Sequence, residues 1–489
     1  MAPDHAGRTG RAFSVVIVGG GITGLAAAWY LEGAWRQSGT DLSIVLVERE
    51  NVLGGKLSTL REDGFVVEGG PDGFLTRKPW ALELANELGI GDDVVYMQTT
   101  GALLQRRGRL HPIPPGLMGP APADRRDIWD ASFLSWQGKL RASLEPLVRK
   151  RTAAGRESLG SFLRRRLGSE LTDTLLEPMM AGIYGSDSYD MSLDALFPML
   201  GEWERRYGSL SRGMREARKA AQGSEHPPSA FFSLAGGTRQ LVEAMVQGLE
   251  RTEIVSGSAA VAVDRVEDEE PRFAVTMDGG RSFKADAAVL ATPAWDAGSL
   301  VGSFAPGLAG LLGRMRGAPA VSVCLALARE NVDHPLDGSG FLSPRSEAGP
   351  VAGCTWLSSK WPGRSPRGHV LLRVFLHTED SALGGLSDAA LAETACEALR
   401  PLLGIRGAAE RSWVHRWADG LPQYKVDHTE WLDDVERETG AHPGLFLCGA
   451  SYRGIGVPDC VRQARDAAER VHAFATHGAG QGSAQAART

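Results

Sequence analysis

Residues 15–31 read VVIVGGGITGLAAAWYL, and the interpretation of this stretch decides how the rest of the chain is read. An apolar run that follows Arg8 and Arg11 resembles a signal peptide or a membrane span at first sight. The β-branched run Val15–Val18, however, stops abruptly at three glycines, as a buried strand does where it enters a tight turn. We therefore predict a strand, a turn and a helix in this stretch, and not a segment that crosses a membrane.

The glycines of the turn have the spacing of a nucleotide-binding loop. Gly19, Gly21 and Gly24 form G-x-G-x-x-G, and the next strand-like run, SIVLVE, ends at Glu48. In such a loop the first glycine permits the turn, the second lets the backbone approach a pyrophosphate, and the third lets the helix pack on the strand. The helix N-terminus offers free N–H groups to phosphates, and Glu48 can accept hydrogen bonds from a ribose. A glycine pattern alone would equally suit a buried turn, but in this order it predicts an adenine dinucleotide site. Its predicted contacts are Gly19, Gly20, Gly21, Ile22, Thr23, Gly24, Glu48 and Arg49.

The composition restricts the other functions that the chain could have. The 489 residues are 43% hydrophobic and 23% charged, which is ordinary for a soluble globular protein. The net charge of −6 argues against a nucleic-acid partner, since phosphate binding needs a basic surface. The five cysteines and eleven histidines are scattered without ligand-like spacing. We therefore expect no disulfide framework and no metal site, and we expect a cytoplasmic protein.

Five further segments, four of which contain glycine, follow along the chain: LGGK at 53–56, VEGGPDG at 67–73, GGTRQL at 236–241, VLATPA at 289–294 and LFLCGASYRGIGVPDC at 445–460. A P-loop is excluded at the first of them, because positions 50 and 57 are Glu and Leu. In this order the segments resemble the FAD-containing amine oxidase superfamily, and the resemblance implies FAD as cofactor. Of Val261 and Val263, we favour Val263 as the adenine contact. The other implied FAD contacts are Gly54, Gly55, Lys56, Gly70, Pro71, Asp72, Gly73, Trp417, Gly449, Ile455, Gly456 and Val457.

Four more segments narrow the resemblance. GPDGFLTRKP (70–79), LLEPMMAGIYGSD (175–187), GFLSP with TWLSSKWPGRSP (340–344 and 355–366) and HRWADGLPQY (415–424) resemble the porphyrinogen oxidases of that superfamily. The resemblance implies an FAD-dependent, oxygen-using, six-electron oxidation of a porphyrinogen to a porphyrin in haem biosynthesis, with hydrogen peroxide as by-product. It implies substrate contacts at Lys78, Gly182, Ile183 and Phe341, with Phe341 stacked on the macrocycle and Lys78 beside a carboxylate.

Two short features of the sequence indicate which porphyrinogen is the substrate. LHPIP at 110–114 and Lys78 favour coproporphyrinogen III, and protoporphyrinogen IX stays as the alternative. Two departures affect the likeness: Ser186 stands where the family usually has Gly, and GALL at 101–104 replaces a segment that carries an arginine in some members. The contact between that arginine and a propionate is therefore not expected here.

No acid–base dyad and no G-x-S-x-G nucleophile motif is visible, so we predict no catalytic side chain. Aromatisation of the macrocycle is strongly downhill, and the cofactor carries the redox chemistry. The rival functions are another enzyme of the superfamily, such as an amine oxidase or a carotenoid desaturase, and a flavin- or porphyrin-binding protein without turnover. An amine oxidase would need an aromatic pair at the flavin, whereas the C-terminal loop offers only Tyr452.

The predicted fold is α/β, with a Rossmann-like FAD-binding domain of the glutathione-reductase type, a mixed-sheet substrate domain and a helical insertion. The helical insertion, with its basic run at 164–166, suits weak peripheral contact with the inner face of a membrane. The resemblance also implies hand-off of product to a ferrochelatase, and a homodimer remains open. We place the FAD domain at 1–90, 226–295 and 408–489, the substrate domain at 91–114 and 296–407, the helical insertion at 115–225, and a disordered tail at 478–489.

Overall fold

The computed structural model describes residues 11–38, 41–119, 121–151, 155–221, 229–266, 272–377, 383 and 385–477. The tail at 478–489 that was predicted to be disordered lies outside these ranges. The strands are β1 Phe13–Val18, β2 Leu42–Glu48, β3 Thr59–Glu62, β4 Phe65–Glu68, β5 Phe74–Leu75, β6 Val94–Tyr96, β7 Leu103–Arg106, β8 Arg109–Pro112, β9 Phe231–Leu234, β10 Thr252–Ser256, β11 Ala260–Arg265, β12 Phe273–Met277, β13 Ser282–Ala285, β14 Ala287–Leu290, β15 Gly317–Ala328, β16 Gly340–Leu342, β17 Val351–Trp356, β18 His369–Leu376, β19 Arg411–Pro422 and β20 Leu445–Leu447.

Helices occupy much of the remaining described chain. A π-helical turn, Thr172–Leu176, runs directly into one of them. The helices are α1 Ile22–Ser38, α2 Trp80–Glu87, α3 Arg125–Asp130, α4 Trp136–Ser143, α5 Leu159–Leu167, α6 Ser169–Leu171, α7 Glu177–Tyr184, α8 Leu193–Leu196, α9 Pro198–Tyr207, α10 Leu210–Ala221, α11 Arg239–Gly248, α12 Ala294–Leu300, α13 Pro306–Leu312, α14 Leu357–Lys360, α15 Asp388–Leu403, α16 His428–Gly440 and α17 Val457–His477.

The first sheet is parallel and explains the apolar opening of the sequence. Its strand order is β10-β2-β1-β14-β20, so β1 lies at its centre. Val15 and Ile17 pack into one buried cluster with α1 and α17, whereas Val16 and Val18 pack into another with the β11–β13 meander. A strand buried on both faces has no reason to alternate polar and apolar residues. The predicted strand, turn and helix are thus confirmed, and no helix within the described ranges is long and apolar enough to cross a bilayer.

The second sheet is mixed, in the order β19-β15-β18-β17-β16-β7-β8. Only the β16–β7 pairing is parallel among its strand pairs in the described chain. The predicted boundary at residue 408 is wrong by one strand, because β19 pairs along its length with β15 in this sheet. The return to the parallel sheet therefore follows Pro422, the last residue of β19.

The segment from α3 to α10 is helical and has its own buried cluster. Its basic run, Arg164–Arg166, does not form the open surface that the sequence analysis assumed. Arg166 is fully buried against Glu145, and Arg165 donates to both Glu157 and Glu204. The side chain of Arg166 faces inwards because α5 packs its last turn onto the turn at Glu145 and the end of α9. Arg165 and Arg166 are thus paired with carboxylates within the helical segment.

We predict that Arg166→Met destabilises the helical segment by about 3–5 kcal/mol, because it leaves the buried Glu145 carboxylate without its cation. Urea unfolding followed by circular dichroism measures the change. The matched control is Arg126→Met on α3, whose ion pair with Asp130 is solvent-exposed and should be worth less than about 1 kcal/mol. Equal unfolding midpoints for the two variants would refute this assignment.

Candidate active site

The loop between β1 and α1 has the geometry that its glycines predict. Gly19 has a φ of +107°, which L side chains rarely adopt. A Cβ on Gly24 would lie 1.9 Å from the Gly19 carbonyl oxygen, so the first turn of α1 can approach the loop only without a side chain there. A Cβ on Gly21 would meet nothing within 4 Å, which leaves the backbone open to an approaching ligand. The open N-terminus of α1 and this bare backbone suit a phosphate group.

Glu48 ends β2 beside this loop. Its Oε2 accepts from the Gly20 N–H at 2.6 Å and its Oε1 accepts from the Glu50 N–H at 2.9 Å, so the carboxylate is held by two backbone donors. The N–H of Ser258 donates to the Glu48 carbonyl, which brings the loop after β10 alongside. Arg49 is exposed and lies 3.7 Å from Asp296. A carboxylate at this position can still accept from ribose hydroxyls through its remaining lone pairs.

The preference for Val263 over Val261 as the adenine contact is not supported by the side-chain directions. Val263 is fully buried in the cluster beneath the parallel sheet, and Val261 is 52% exposed. The register of β11 is irregular between Ala260 and Ala262, so Val261 does not follow the regular alternation that would give it the same face as Val263. Of the two, only Val261 has side-chain surface left for contact.

The second and third glycine turns stack on the first. The Gly54 N–H donates to the Gly20 carbonyl at 2.9 Å, and a Cβ on Gly70 would lie 1.7 Å from the Lys56 carbonyl oxygen. Lys56 is partly buried between the turns, and burial lowers the pKa of its ammonium group. Three turns that are far apart in sequence thus meet at the carboxyl edge of the parallel sheet.

The turn at 69–73 also contacts the second sheet. The Trp417 indole N–H donates to the Gly69 carbonyl at 2.9 Å. Asp72 accepts from Lys360 Nζ and from the Trp361 indole, each at 2.7 Å. Burial alone would raise the pKa of Asp72, but the charges of Lys360 and Arg373 and these hydrogen bonds hold it well below its usual range. The carboxylate is therefore fixed to the end of α14, which follows β17 of the second sheet.

The C-terminal loop completes the site from the other side. The Cβ position of Gly449 is 3.7 Å from Thr23 Oγ1, so this loop lies against the start of α1. Tyr424 Oη donates to the Ala450 carbonyl and accepts from the Gly454 N–H, which fixes the loop just before α17. Ile455, Gly456 and Val457 follow directly and lead into α17. An elongated cofactor such as FAD suits this groove of bare backbone between two helix N-termini. The residues at these turns would hold its pyrophosphate and its ring system.

Lys78 is not the open cation that the sequence predicted. Its Nζ lies 2.5 Å from Asp459 Oδ2, and Asp459 belongs to the first turn of α17. The pair ties the turn at 70–79 to the C-terminal helix that closes the site, so a substrate carboxylate would have to compete with Asp459. Ile183, at the end of α7, is 53% exposed and available to a ligand.

The predicted role of Phe341, stacking on the substrate, disagrees with its burial. It is 2% exposed and packs in the core of the second sheet with residues of α15, which places it on the face turned away from α7. Its strand neighbour Leu342 has the opposite direction, and its Cδ2 is 3.8 Å from the Cβ position of Gly182. Leu342, and not Phe341, therefore faces Gly182 on α7. The prediction chose the neighbouring residue of β16, whose side chain points to the opposite face.

Comparison with known proteins agrees with this assembly. The family model described as flavin containing amine oxidoreductase matches residues 22–472. The chain is 35% identical to a protein named coproporphyrinogen III oxidase from Propionibacterium freudenreichii, over 94% of this chain and 90% of that one. It is 30% identical to the human protein named protoporphyrinogen oxidase, over 94% of this chain and 98% of that one. A crystal structure of a protein from an Exiguobacterium species matches with a TM-score of 0.82 at 32% identity, covering 94% of this chain and 99% of the other.

We predict that Gly24→Ala destabilises the protein by about 3 kcal/mol or more and releases the cofactor, because the added methyl group overlaps the Gly19 carbonyl. Thermal unfolding and the ratio of flavin to protein absorbance measure the two effects. Gly33→Ala is the control on the same helix: nothing lies within 4 Å of its added Cβ, so it should gain about 0.5–1 kcal/mol. Similar losses in both variants would contradict the role of the Gly19–Gly24 contact, because helix propensity alone favours alanine at both positions.

Proposed function

The chain belongs to the flavin containing amine oxidoreductase family, and from this premise we propose that it oxidises coproporphyrinogen III to coproporphyrin III in haem biosynthesis. The observation that carries the proposal is the meeting of three glycine turns and the C-terminal loop at one edge of the parallel sheet, within a chain that matches a coproporphyrinogen III oxidase over 94% of its length. Protoporphyrinogen IX is the alternative substrate, which the human relative's name favours.

We further propose that the cofactor domain is of the glutathione-reductase type and is assembled from three pieces of the chain. The parallel sheet draws its strands from residues 13–48, 252–290 and 445–447, which supports a division into three pieces. In this division the third piece starts after Pro422, the second sheet forms the substrate domain, and the segment from α3 to α10 is the insertion. The substrate would lie between the second sheet and α7, where Leu342 approaches Gly182.

The division of work between cofactor and protein follows from the chemistry. Bound FAD supplies a two-electron acceptor, and a six-electron oxidation needs it three times. The protein's own residues bind, orient and exclude water. The turns at 19–24, 54–56 and 69–73 would hold the cofactor, and Met180, Ile183 and Leu342 would give the flat macrocycle apolar walls. Dioxygen would accept the electrons, and a ferrochelatase would receive the porphyrin.

The test is to mix purified yellow protein, without oxygen, with each porphyrinogen and to follow the flavin absorbance in the visible region. We expect coproporphyrinogen III to bleach the flavin at least about tenfold faster than protoporphyrinogen IX, because its additional carboxylates can compete with Asp459 for Lys78. Faster bleaching by protoporphyrinogen IX would move the assignment to the alternative substrate. If neither porphyrinogen bleaches protein that holds FAD, the proposed function is wrong.

We also propose that the protein contacts a membrane surface through one stripe of the helical segment. Trp136, Leu140, Leu144 and Leu147 are 65%, 44%, 41% and 75% exposed. Their spacing of four, four and three residues places them along one side of α4 and the turn that follows. Exposed apolar residues along one side of a helix are typical of helices that lie in the interface of a lipid bilayer, and Lys139 and Arg141, whose side chains donate to backbone carbonyls, lie on the same helix.

Co-sedimentation with vesicles that contain phosphatidylglycerol tests this contact. The double variant Trp136→Ser, Leu147→Ser should have a partition coefficient for the vesicles at least about tenfold lower than that of the wild-type protein. The reason is that two large apolar side chains no longer enter the lipid interface. Leu60→Ser is the control, since Leu60 is 43% exposed on β3, outside the helical segment. Equal binding by all three proteins would exclude the stripe.

A further inference from the structure

Three polar side chains lie on the face of the second sheet that packs against the turn at 69–73. Ser322 on β15 lies directly across from His415 on β19, and Cys324, two residues further along β15, lies across from Arg373 on β18. Residues two apart on a strand point to the same face, so Ser322, Arg373 and His415 point the same way. Sequence analysis missed Ser322 and Arg373, and it assigned His415 no role. These residues lie in strands whose other residues are mostly apolar. Only the register of the strand pairs shows that the three side chains point to the same face.

Each of the three side chains has a polar atom without a partner. Ser322 Oγ, Arg373 Nε and His415 Nδ1 are buried and accept or donate no hydrogen bond within the described chain. Ser322 is 4% exposed and Arg373 is 7% exposed. Buried polar atoms are nearly always satisfied in folded proteins, and three unsatisfied ones in one place indicate a missing ligand or solvent molecule.

The charges around the three side chains do not balance. Glu68 lies 3.6 Å from Arg364, and Asp72 lies 2.7 Å from Lys360, so each carboxylate has its own cation. Arg373 has no carboxylate within ion-pairing distance among the described residues. Burial and the charge of Arg373 lower the pKa of His415, although Asp388 acts in the opposite direction. The charge of Arg373 also acts on Asp72, so three cations (Lys360, Arg364 and Arg373) share two carboxylates (Glu68 and Asp72). An excess of positive charge at a buried position is costly unless a further anion faces it.

The cluster lies against the turn that is predicted to hold the cofactor. Arg373 Nη1 donates to the Gly70 carbonyl, and the His415 ring is 2.6 Å from the Cβ position of Gly69. We infer that Arg373, Ser322 and His415 form an anion site behind this turn, and that the anion is the single negative charge that FAD gains when it takes up two electrons and one proton. Charge placed near a flavin ring is one of the means by which a protein sets its potential. The inference rests on the proposed FAD site and does not depend on the identity of the substrate.

The experiment measures the midpoint potential of bound FAD by slow enzymatic reduction with a reference dye, in the absence of porphyrinogen. Arg373→Gln removes the charge and keeps a donor for the Gly70 carbonyl. We expect the equilibrium constant for flavin reduction to fall about tenfold in this variant, which is about 30 mV for a two-electron couple. Arg373→Lys should stay within about threefold of the wild-type protein, because it keeps the charge.

The matched control is Arg411→Gln on β19, which removes an exposed arginine paired with Glu62 and Asp63 and should leave the potential unchanged. If Arg373→Gln does not retain FAD, Ser322→Ala decides the question, with an expected fall of about threefold. An unchanged potential in Ser322→Ala, or in FAD-loaded Arg373→Gln, overturns the inference.

A second arm separates the cofactor from a small free anion as the source of the negative charge. The wild-type potential is measured in sodium chloride and in sodium gluconate of equal ionic strength. Equal values support the cofactor as the anion. A potential that depends on chloride in the wild-type protein and not in Arg373→Gln would show that a free anion fills the site, and it would overturn the inference. Because the reductant is a dye, failure of porphyrinogen turnover would leave both arms valid.

Discussion

Close approach of backbone to backbone is the constraint on which this structure depends. At two points a carbonyl oxygen occupies the space that a side chain would need: Gly19 against Gly24, and Lys56 against Gly70. These contacts bring the turns after β1, β2 and β4 to one edge of the parallel sheet. The groove between them is lined by N–H groups and by the N-termini of α1 and α17, and such a surface favours phosphate without any basic side chain. The modest net charge of −6 is therefore compatible with binding a polyanionic cofactor.

The second dependence is electrostatic, and it connects the two sheets. The turn at 69–73 is held to the second sheet by its backbone, because the Gly69 carbonyl accepts from Trp417 on β19 and the Gly70 carbonyl accepts from Arg373 on β18. Asp72 bonds to Lys360 and Trp361, and Glu68 bonds to Thr59 and Thr238 beside Arg364. Lys78 in turn bonds to Asp459 on α17. The two sheets are thus connected by hydrogen bonds and ion pairs around this turn and not by a flexible linker.

Sequence patterns were sufficient for the parts of the molecule in which local chemistry fixes geometry. The strand, turn and helix of residues 15–31 followed from β-branched residues and glycine spacing, and the turns at 54–55 and 70–73 followed from their resemblance to known segments. Side-chain partners could not be predicted in the same way. Phe341 and Leu342 are both apolar, and only the strand register shows which faces α7. Lys78 was predicted to meet a substrate carboxylate, and the run that contains Arg166 was predicted to suit a membrane surface, because their partners, Asp459 and Glu145, are brought close only by the fold.

In the proposed function, one flavin site accepts all six electrons of the macrocycle in three two-electron steps. The most direct measurement is the number of enzyme-bound flavins reduced for each porphyrin formed when limiting coproporphyrinogen III is added without oxygen. Because each flavin takes two electrons, the account predicts three reduced flavins for each coproporphyrin released. One reduced flavin for each oxidised product would show a two-electron enzyme and would contradict the account, as would porphyrin formation without any reduced flavin.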